Sequence, residues 1–274
     1  MRSARSPARQ CLRQLARAVR AGQAAWNEVR GTGRGVRRSI QVWDLPTRLS
    51  KWLLVLFVAV AFLASSMHPH GLLFGVHVIA GYAVVLLVLF RLAWGVIGGR
   101  EARFSSFIRG PAAVREHARA LLRLKPEETA GHNPLGGWMI LSMLGILGLI
   151  VASGLLTEGV TGGAGVLSAL LPPDLIGPIG WFHGTLGFAI IWLAGCHVAG
   201  VLVESLLLRE NLVRAMITGR KRVWSPAFAD ARAVPSWRVL PLLFMLALLG
   251  AWMIAGTSLP VASPRHTTAG LVHR

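Results

Sequence analysis

Three histidines lie inside long stretches of the sequence that contain no Asp, Glu, Lys or Arg. His183 and His197 belong to one such stretch, residues 175–203, and His77 belongs to another, residues 71–90. An ionisable side chain is costly inside a membrane-crossing helix and usually serves a function there. A neutral imidazole in such a helix can ligate haem iron, carry protons or form a hydrogen bond to a neighbouring helix.

The spacing of His183 and His197 places both imidazoles on one face of a helix. The two residues are fourteen positions apart, which corresponds to a rotation about 40° short of four full turns. The same step advances a helix by about 21 Å, most of the thickness of a bilayer. Two cofactor sites stacked at different depths in a helical bundle would need this arrangement. Gly195 and Gly200 flank His197.

His77 and His183 are expected to lie at a similar depth, because each follows the predicted start of its own helix by a few residues. A glycine comes four residues after each of them, at Gly81 and Gly187, and positions four apart share a helix face. A glycine there leaves room for a flat porphyrin or, alternatively, allows two helices to approach closely. The depth-matched pair favours a shared iron.

The hydrophobic pattern predicts five transmembrane helices. Hydrophobic residues make up 54% of the 274-residue chain and charged residues 15%, whereas a soluble domain carries about 25% charged residues. Five apolar segments are long enough for a spanning helix of about 20 residues: 46–67, 71–97, 133–156, 179–206 and 239–257. Asn133 is suited to cap the third helix, and Pro134 is suited to its first turn.

The basic residues predict the orientation of these helices. The formal net charge is +18, and all but two of the 29 Lys and Arg residues lie within 1–51, 91–125 and 209–238. Basic residues collect in the cytoplasmic segments of membrane proteins. The pattern therefore predicts a cytoplasmic N-terminus and a C-terminus on the opposite side, and it accounts for the positive charge without nucleic acid.

The chain divides into three predicted parts. Residues 1–41 form a basic cytoplasmic arm, which is either a helix on the anionic inner leaflet or an unstructured segment. Residues 42–222 form a four-helix membrane domain. Residues 223–274 contain the fifth helix, which carries no ionisable residue and is expected to pack on the outside of the four-helix core.

Other chemistry is not supported by the sequence. Only two cysteines are present, and they form no CxxCH motif for covalent haem attachment and no CxxC metal pair. No nucleotide fingerprint, catalytic triad motif or phosphate loop occurs. Two alternatives to a cofactor site stay open: a haem-free membrane anchor whose histidines join helices, and a transporter with an intramembrane histidine path for protons.

Five motifs, taken in order, resemble the bacterial cytochrome b561 family, which includes the cytochrome b subunits of membrane-bound hydrogenases. They are VWDLPTRLSKW (42–52), GVHVIAGY (75–82), FRLAWGVIGGREARFSSFIRGP (90–111), GHNPLGGW (131–138) and WFHGTL…GCHVAG (181–200). The resemblance implies an all-α membrane protein with a four-helix transmembrane haem-binding bundle. To that bundle this chain adds a fifth C-terminal transmembrane helix.

The resemblance also implies a function and a location. Members of the family hold two b-type haems in the bacterial inner membrane and pass electrons across it. They exchange electrons with quinone and with a partner redox protein, such as a c-type cytochrome or a hydrogenase. For this chain the resemblance implies haem b as cofactor, membrane lipid and quinone as partners, and a periplasmic C-terminus.

The family's ligands can be carried over only by position. His77 and His183 are similar to the axial pair of the outer haem, and His197 resembles a ligand of the inner haem. Lys51 stands where the family has the second histidine of the inner haem. Lys51 either ligates the iron as a neutral amine, or pairs with a haem propionate, or reaches the interface while the inner haem is absent.

Three polar residues near the predicted inner ends have two interpretations each. Arg91 either pairs with an inner-haem propionate or anchors its helix at the cytoplasmic face. His132 either hydrogen-bonds a propionate or has a structural role at the interface. Glu204 either pairs with a nearby arginine or belongs to a proton path for quinol.

Overall fold

The computed structural model describes residues 37–67, 72–157, 167, 170–224, 230 and 236–257. The predicted basic arm before residue 37, residues 158–166 between the third and fourth predicted helices, and the tail after residue 257 lie outside these residues. In chain order the elements are β1 Arg38–Gln41, α1 Leu45–Met67, α2 Leu72–Ile97, a 3-10 helix Arg100–Ala102, α3 Phe104–Phe107, α4 Pro111–Leu122, α5 Pro134–Leu156, α6 Pro173–Leu208, α7 Leu212–Thr218, β2 Arg220–Val223, a 3-10 helix Ser236–Arg238 and α8 Val239–Thr257.

Four helices, α1, α2, α5 and α6, are long and apolar enough to cross a membrane. They coincide with the first four predicted helices. Helix α5 is capped as predicted, since the Asn133 side chain accepts a hydrogen bond from the backbone N–H of Gly136 at 2.6 Å. The one large difference is the start of α6, which begins at Pro173 and not at 179. Proline in the first turn and Asp174 beside it both favour a helix N-terminus at that point.

The fifth predicted helix is present as α8, but its apolar stretch, Val239–Met253, is shorter than the four candidate spans. It lies along the outside of α2. Val239, at its start, packs against the Phe90 and Trp94 cluster, whereas Met253 is buried beside Val78. Because Val78 precedes Trp94 in α2, the two helices run in opposite directions.

The four long helices share a core at the middle of the bundle. Val84 and Val88 of α2 are buried against Leu147 of α5 and Ile190 of α6, and Phe57 of α1 packs on the same cluster. Apolar side chains gain little by leaving lipid, so this core stabilises the bundle mainly through close packing. It also separates the two ends of the bundle, where the polar residues lie.

A two-stranded antiparallel sheet covers one end of the bundle. Arg38 of β1 pairs with Val223 of β2, and Gln41 pairs with Arg220. We call this end of the bundle the sheet end and the opposite end, where α1 finishes and α2 begins, the distal end. These strands were not predicted from the sequence.

Gly219 lies between α7 and β2. It has a φ of +79°, and its carbonyl accepts hydrogen bonds from the backbone N–H groups of Val42 and Trp43 at 2.9 and 3.1 Å. A Cβ at this position would lie 2.7 Å from the Trp43 carbonyl oxygen. Glycine is therefore required here both by the left-handed backbone and by the close approach of the chain that leads into α1.

Candidate functional site

The structure brings His77 and His183 together at the distal end. Their ring centroids are 5.9 Å apart, and the ring planes cross at 85°. His77 comes from the first turns of α2 and His183 from the third turn of α6, so the predicted equal depth holds despite the earlier start of α6. Both side chains are partly buried.

Each of these rings donates a hydrogen bond to the backbone of a neighbouring helix. His77 Nδ1 is 2.8 Å from the carbonyl oxygen of Ala61 in α1, and His183 Nδ1 is 2.9 Å from that of Ile150 in α5. A carbonyl oxygen only accepts, so Nδ1 carries the proton in both rings. The Nε2 atom of each neutral imidazole then keeps a lone pair, as a metal ligand requires.

Two further residues of α5 touch the His183 ring, and the sequence analysis missed both. Ser153 Oγ is 3.2 Å from His183 Nδ1. A Cβ on Gly154 would lie 3.0 Å from His183 Cε1, so only glycine leaves enough space for the ring in its observed position. The sequence did contain a signal for this contact: a serine and a glycine are adjacent in an apolar helix, at the depth expected for His183.

A second group of polar residues meets at the sheet end, around His132. Burial lowers the pKa of His132 well below its ordinary value, and the nearby charges of Lys51, Arg91, His197 and Lys221 lower it further. Four of these five residues are predicted cofactor-binding residues from the sequence: Lys51 of α1, Arg91 of α2, His197 of α6 and His132, which lies two residues before α5. Lys221 of β2 was not predicted.

The His132 side chain lies in an aromatic setting. Its ring centroid is 4.3 Å from that of Trp43 and 4.9 Å from that of Phe107. Its Nδ1 atom is buried and has no hydrogen-bond partner in the part of the chain that the structure describes. A buried nitrogen without a partner is unusual in a folded protein and marks a position where a further polar group would be stabilised.

Arg91 is also buried at this end, with 6% of its surface exposed. Its Nη1 donates to the Ala102 carbonyl oxygen at 3.2 Å, and its guanidinium lies 5.0 Å from the centre of the Phe104 ring. An arginine that anchors a helix at the membrane surface would be exposed to water. Arg91 is instead buried against the segment that follows α2, at Ala102 and Phe104.

Comparison with known proteins places the chain in a family. The family model described as prokaryotic cytochrome b561 matches residues 42–219. The chain belongs to the prokaryotic cytochrome b561 family. No curated protein matches, and no solved structure matches either.

Membership makes the protein a membrane cytochrome of the b type, which binds haem and takes part in electron transport. The matched region contains all four candidate spans and both polar ends of the bundle. Haem iron in such proteins is held by imidazole nitrogens, so the two ends can be tested for their fit to it.

The His77–His183 pair of this b561 cytochrome fits a shared iron. Metal–imidazole bonds are about 2 Å long, and the centre of each ring lies roughly 1 Å beyond its nitrogen. Two such bonds in line therefore need a centroid separation of about 6 Å, and the observed separation is 5.9 Å. The Nδ1 hydrogen bonds to Ala61 and Ile150 supply the outer partners that metal-bound histidines usually have.

The glycines beside the histidines also fit a flat ligand. Among the described residues, no side chain or neighbouring helix comes within 4 Å of the position that a Cβ would occupy at Gly81, Gly187, Gly195 and Gly200. Close helix–helix approach would have placed a neighbouring atom within that distance. At these four positions the structure therefore does not support the alternative that the glycines serve tight helix packing.

The sheet end of the b561 cytochrome is built differently. Within the described residues, His197 forms no hydrogen bond and no ring contact, and Lys51 forms no hydrogen bond or ion pair. His197 is thus not held in place as His77 and His183 are. The structure brings Lys51, His197 and His132 into one region, but it shows no second pair of imidazoles there among the described residues.

Glu204 has a different partner from the predicted arginine. Its carboxylate, 8% exposed, accepts a short hydrogen bond from Nδ2 of Asn133, the residue that caps α5. Lys221 lies close to this carboxylate and donates from Nζ to the Thr129 carbonyl oxygen at 2.6 Å. Burial lowers the pKa of Lys221, and the carboxylate of Glu204 partly offsets that effect. These contacts join the end of α6 to the start of α5.

Proposed function

We propose that this cytochrome carries electrons between the quinone pool and a partner redox protein through a haem b held by His77 and His183. The single observation that carries the proposal is the pair of imidazoles 5.9 Å apart, each with its Nδ1 hydrogen donated to a backbone carbonyl. When bound, the haem supplies a one-electron iron couple. The protein residues orient the ligands and surround the site with apolar side chains.

Electron transfer follows from the number of ligands. If His77 and His183 both held the same iron, no open position would be left on it for oxygen or a substrate. The partner is then another redox protein, such as a c-type cytochrome or a hydrogenase, and the second partner is quinone in the membrane. Family membership argues against the two competing functions, a haem-free membrane anchor and a transporter with a histidine proton path.

Visible spectroscopy of the purified protein tests this function. We expect a sharp reduced α-band in the wild type and its loss in both His77→Ala and His183→Ala. His117→Gln is the control, since His117 lies in α4, outside the candidate spans. A colourless wild-type protein, or an unchanged spectrum in both alanine variants, would contradict the proposal.

A second haem level at the sheet end is a separate proposal. His197 would supply an imidazole to the iron, and Arg91 and His132 would face the propionates, since the first is a buried cation and the second has an unpartnered Nδ1. Lys51 would serve as the second ligand or as a further propionate partner. If it does neither, the level stays without haem.

Haem iron per chain, measured by the pyridine haemochrome assay, decides between these arrangements. One haem in the wild type and two in Lys51→His would show that the lysine prevents binding at the sheet end. Two haems in both proteins would show that the level fills with Lys51 present. The count in His197→Ala then identifies which haem depends on that residue.

We also propose an orientation in the bacterial inner membrane, with the sheet end cytoplasmic and the distal end periplasmic. The support is the clustering of basic residues at the sheet end, among them Arg37, Arg48, Arg209 and Lys221. Single cysteines at Arg123 and at Asp174, in a chain without its two native cysteines, test this. A membrane-impermeant maleimide should label the second site in intact spheroplasts and the first only in inverted vesicles.

We propose further that α8 is a fifth crossing, which would place the C-terminus in the periplasm. A helix of 19 residues is about 28 Å long, close to the hydrocarbon thickness of a bilayer. It also runs along α2 in the opposite direction, from Trp94 at the sheet end to Val78 near the distal end. Protease access to a C-terminal tag, in spheroplasts and in inverted vesicles, tests the crossing.

A further inference from the structure

The His183 ring rests against a short segment of α5. Besides its 2.9 Å hydrogen bond to the Ile150 carbonyl, His183 Nδ1 lies 3.2 Å from Ser153 Oγ. Ser153 is 4% exposed, and its own hydroxyl donates to the Leu149 carbonyl oxygen at 2.8 Å. The Ser153 oxygen is therefore in a position to accept a share of the His183 Nδ1 hydrogen.

Gly154 limits the same ring by contact. A Cβ at this position would lie 3.0 Å from His183 Cε1 and 3.3 Å from Nδ1, closer than ordinary van der Waals contact. A methyl group there would displace the ring by a few tenths of an ångström or rotate it. Among the described residues, no side chain or neighbouring helix comes within 4 Å of a Cβ position at Gly145 or Gly148 of the same helix, so a methyl group at either of them would not meet this restriction.

We propose that Ser153 and Gly154 are positioning residues that set the plane of the His183 imidazole, and with it the 85° angle to the His77 ring. This inference rests on the proposed function, because it concerns the same ligand pair. Neither residue is proposed as an iron ligand, and both act through the His183 ring, which they contact. Ser153 orients the ring by a hydrogen bond, whereas Gly154 orients it sterically, because only a residue without a Cβ leaves space for the ring in this position.

The Gly154→Ala variant of the full chain tests the contact. Its matched control is Gly145→Ala, which adds the same methyl group and gains the same helix propensity on the exposed side of the same helix. The g values of the oxidised haem are the readout, since the relative orientation of two axial imidazoles sets the splitting of the iron d orbitals. We expect the largest g value to shift in Gly154→Ala, or haem to be lost, while Gly145→Ala matches the wild type.

The Ser153→Ala variant tests the hydrogen bond and serves if Gly154→Ala fails to fold. We expect it to keep its haem and to show a shifted largest g value, because the Nδ1 hydrogen is then donated to Ile150 alone. Ser153→Thr keeps the hydroxyl and should restore the wild-type spectrum. Wild-type g values and full haem content in both Gly154→Ala and Ser153→Ala would overturn the inference, whereas a wild type without haem would overturn the proposed function itself.

Discussion

His77 and His183 lie with their ring centroids 5.9 Å apart, and each is held by a hydrogen bond from Nδ1 to the backbone of another helix. Helices α2 and α6 supply the rings, while α1 and α5 supply the carbonyl acceptors at Ala61 and Ile150. A site of two side chains thus depends on all four long helices, and its geometry reports whether the whole bundle is assembled.

The 85° angle between the imidazole planes has a spectroscopic consequence. Perpendicular axial imidazoles leave two of the iron d orbitals nearly equal in energy. We therefore expect the oxidised haem at the His77–His183 level to give a strongly anisotropic low-spin EPR signal, dominated by one large g value. The signal should disappear on reduction with dithionite. A rhombic spectrum typical of parallel imidazole planes would contradict the observed geometry.

Replacing Asn133 with alanine should destabilise the protein more than the loss of a helix cap alone. Loss of the cap costs about 1 kcal/mol, and the buried Glu204 carboxylate, left without its amide partner, costs about 1–3 kcal/mol more. Asn211→Ala is the control, since Asn211 caps the short exposed helix α7 by accepting from Arg214 N–H at 2.7 Å. Thermal unfolding in detergent, followed by circular dichroism, measures both. Equal shifts in the two variants would argue against the contribution of Glu204.

The lowered pKa of His132 predicts a loss of stability in mild acid. Burial and the neighbouring charges of Lys51, Arg91, His197 and Lys221 keep the folded-state pKa of His132 well below 6.5. Between that lowered pKa and 6.5 the unfolded chain binds more protons at this residue, so stability falls as the pH falls below about 6.5. His132→Gln should make the unfolding midpoint less dependent on pH between 5 and 7. The same slope in the variant and the wild type would refute this.

Gly219→Ala should loosen the connection between α7 and the chain that enters α1. The left-handed backbone at this residue, with a φ of +79°, costs an alanine about 1–2 kcal/mol, and the Trp43 carbonyl lies 2.7 Å from the new methyl group. Gly110→Ala is the matched control, because Gly110 has a φ of −63° and, among the described residues, no neighbouring atom within 4 Å of a Cβ position. A lower unfolding temperature is expected for the first variant only. No difference between the two would contradict the prediction.

The four spans and the distal pair could be predicted because a bilayer imposes simple requirements on a sequence. A crossing needs about 20 apolar residues, so the charged residues on either side fix the helix boundaries to within a few positions. Depth then follows from counting residues along each helix. That reasoning predicted that His77 and His183 would lie at one level, and the structure places their ring centroids 5.9 Å apart.

Contacts between distant segments could not be predicted in the same way. Ser153 and Gly154 read as ordinary small residues until His183 is placed beside them, thirty residues further along the chain. The antiparallel order of α5 and α6 would have indicated that Glu204 lies near Asn133, but the sequence analysis looked for an arginine because only charge was considered. The strands at 38–41 and 220–223 carry no alternating pattern long enough to be recognised.

The small sheet has a consequence for how the chain enters the membrane. Its two strands stand before the first and after the fourth candidate span, and they can pair only if both lie on the same side of the bilayer. Pairing therefore demands an even number of crossings between Gln41 and Arg220. A nascent chain that has failed to insert one of the four helices is unable to pair β1 with β2. Because β2 follows the fourth helix in the chain, the strands are able to pair only after that helix has left the translocon.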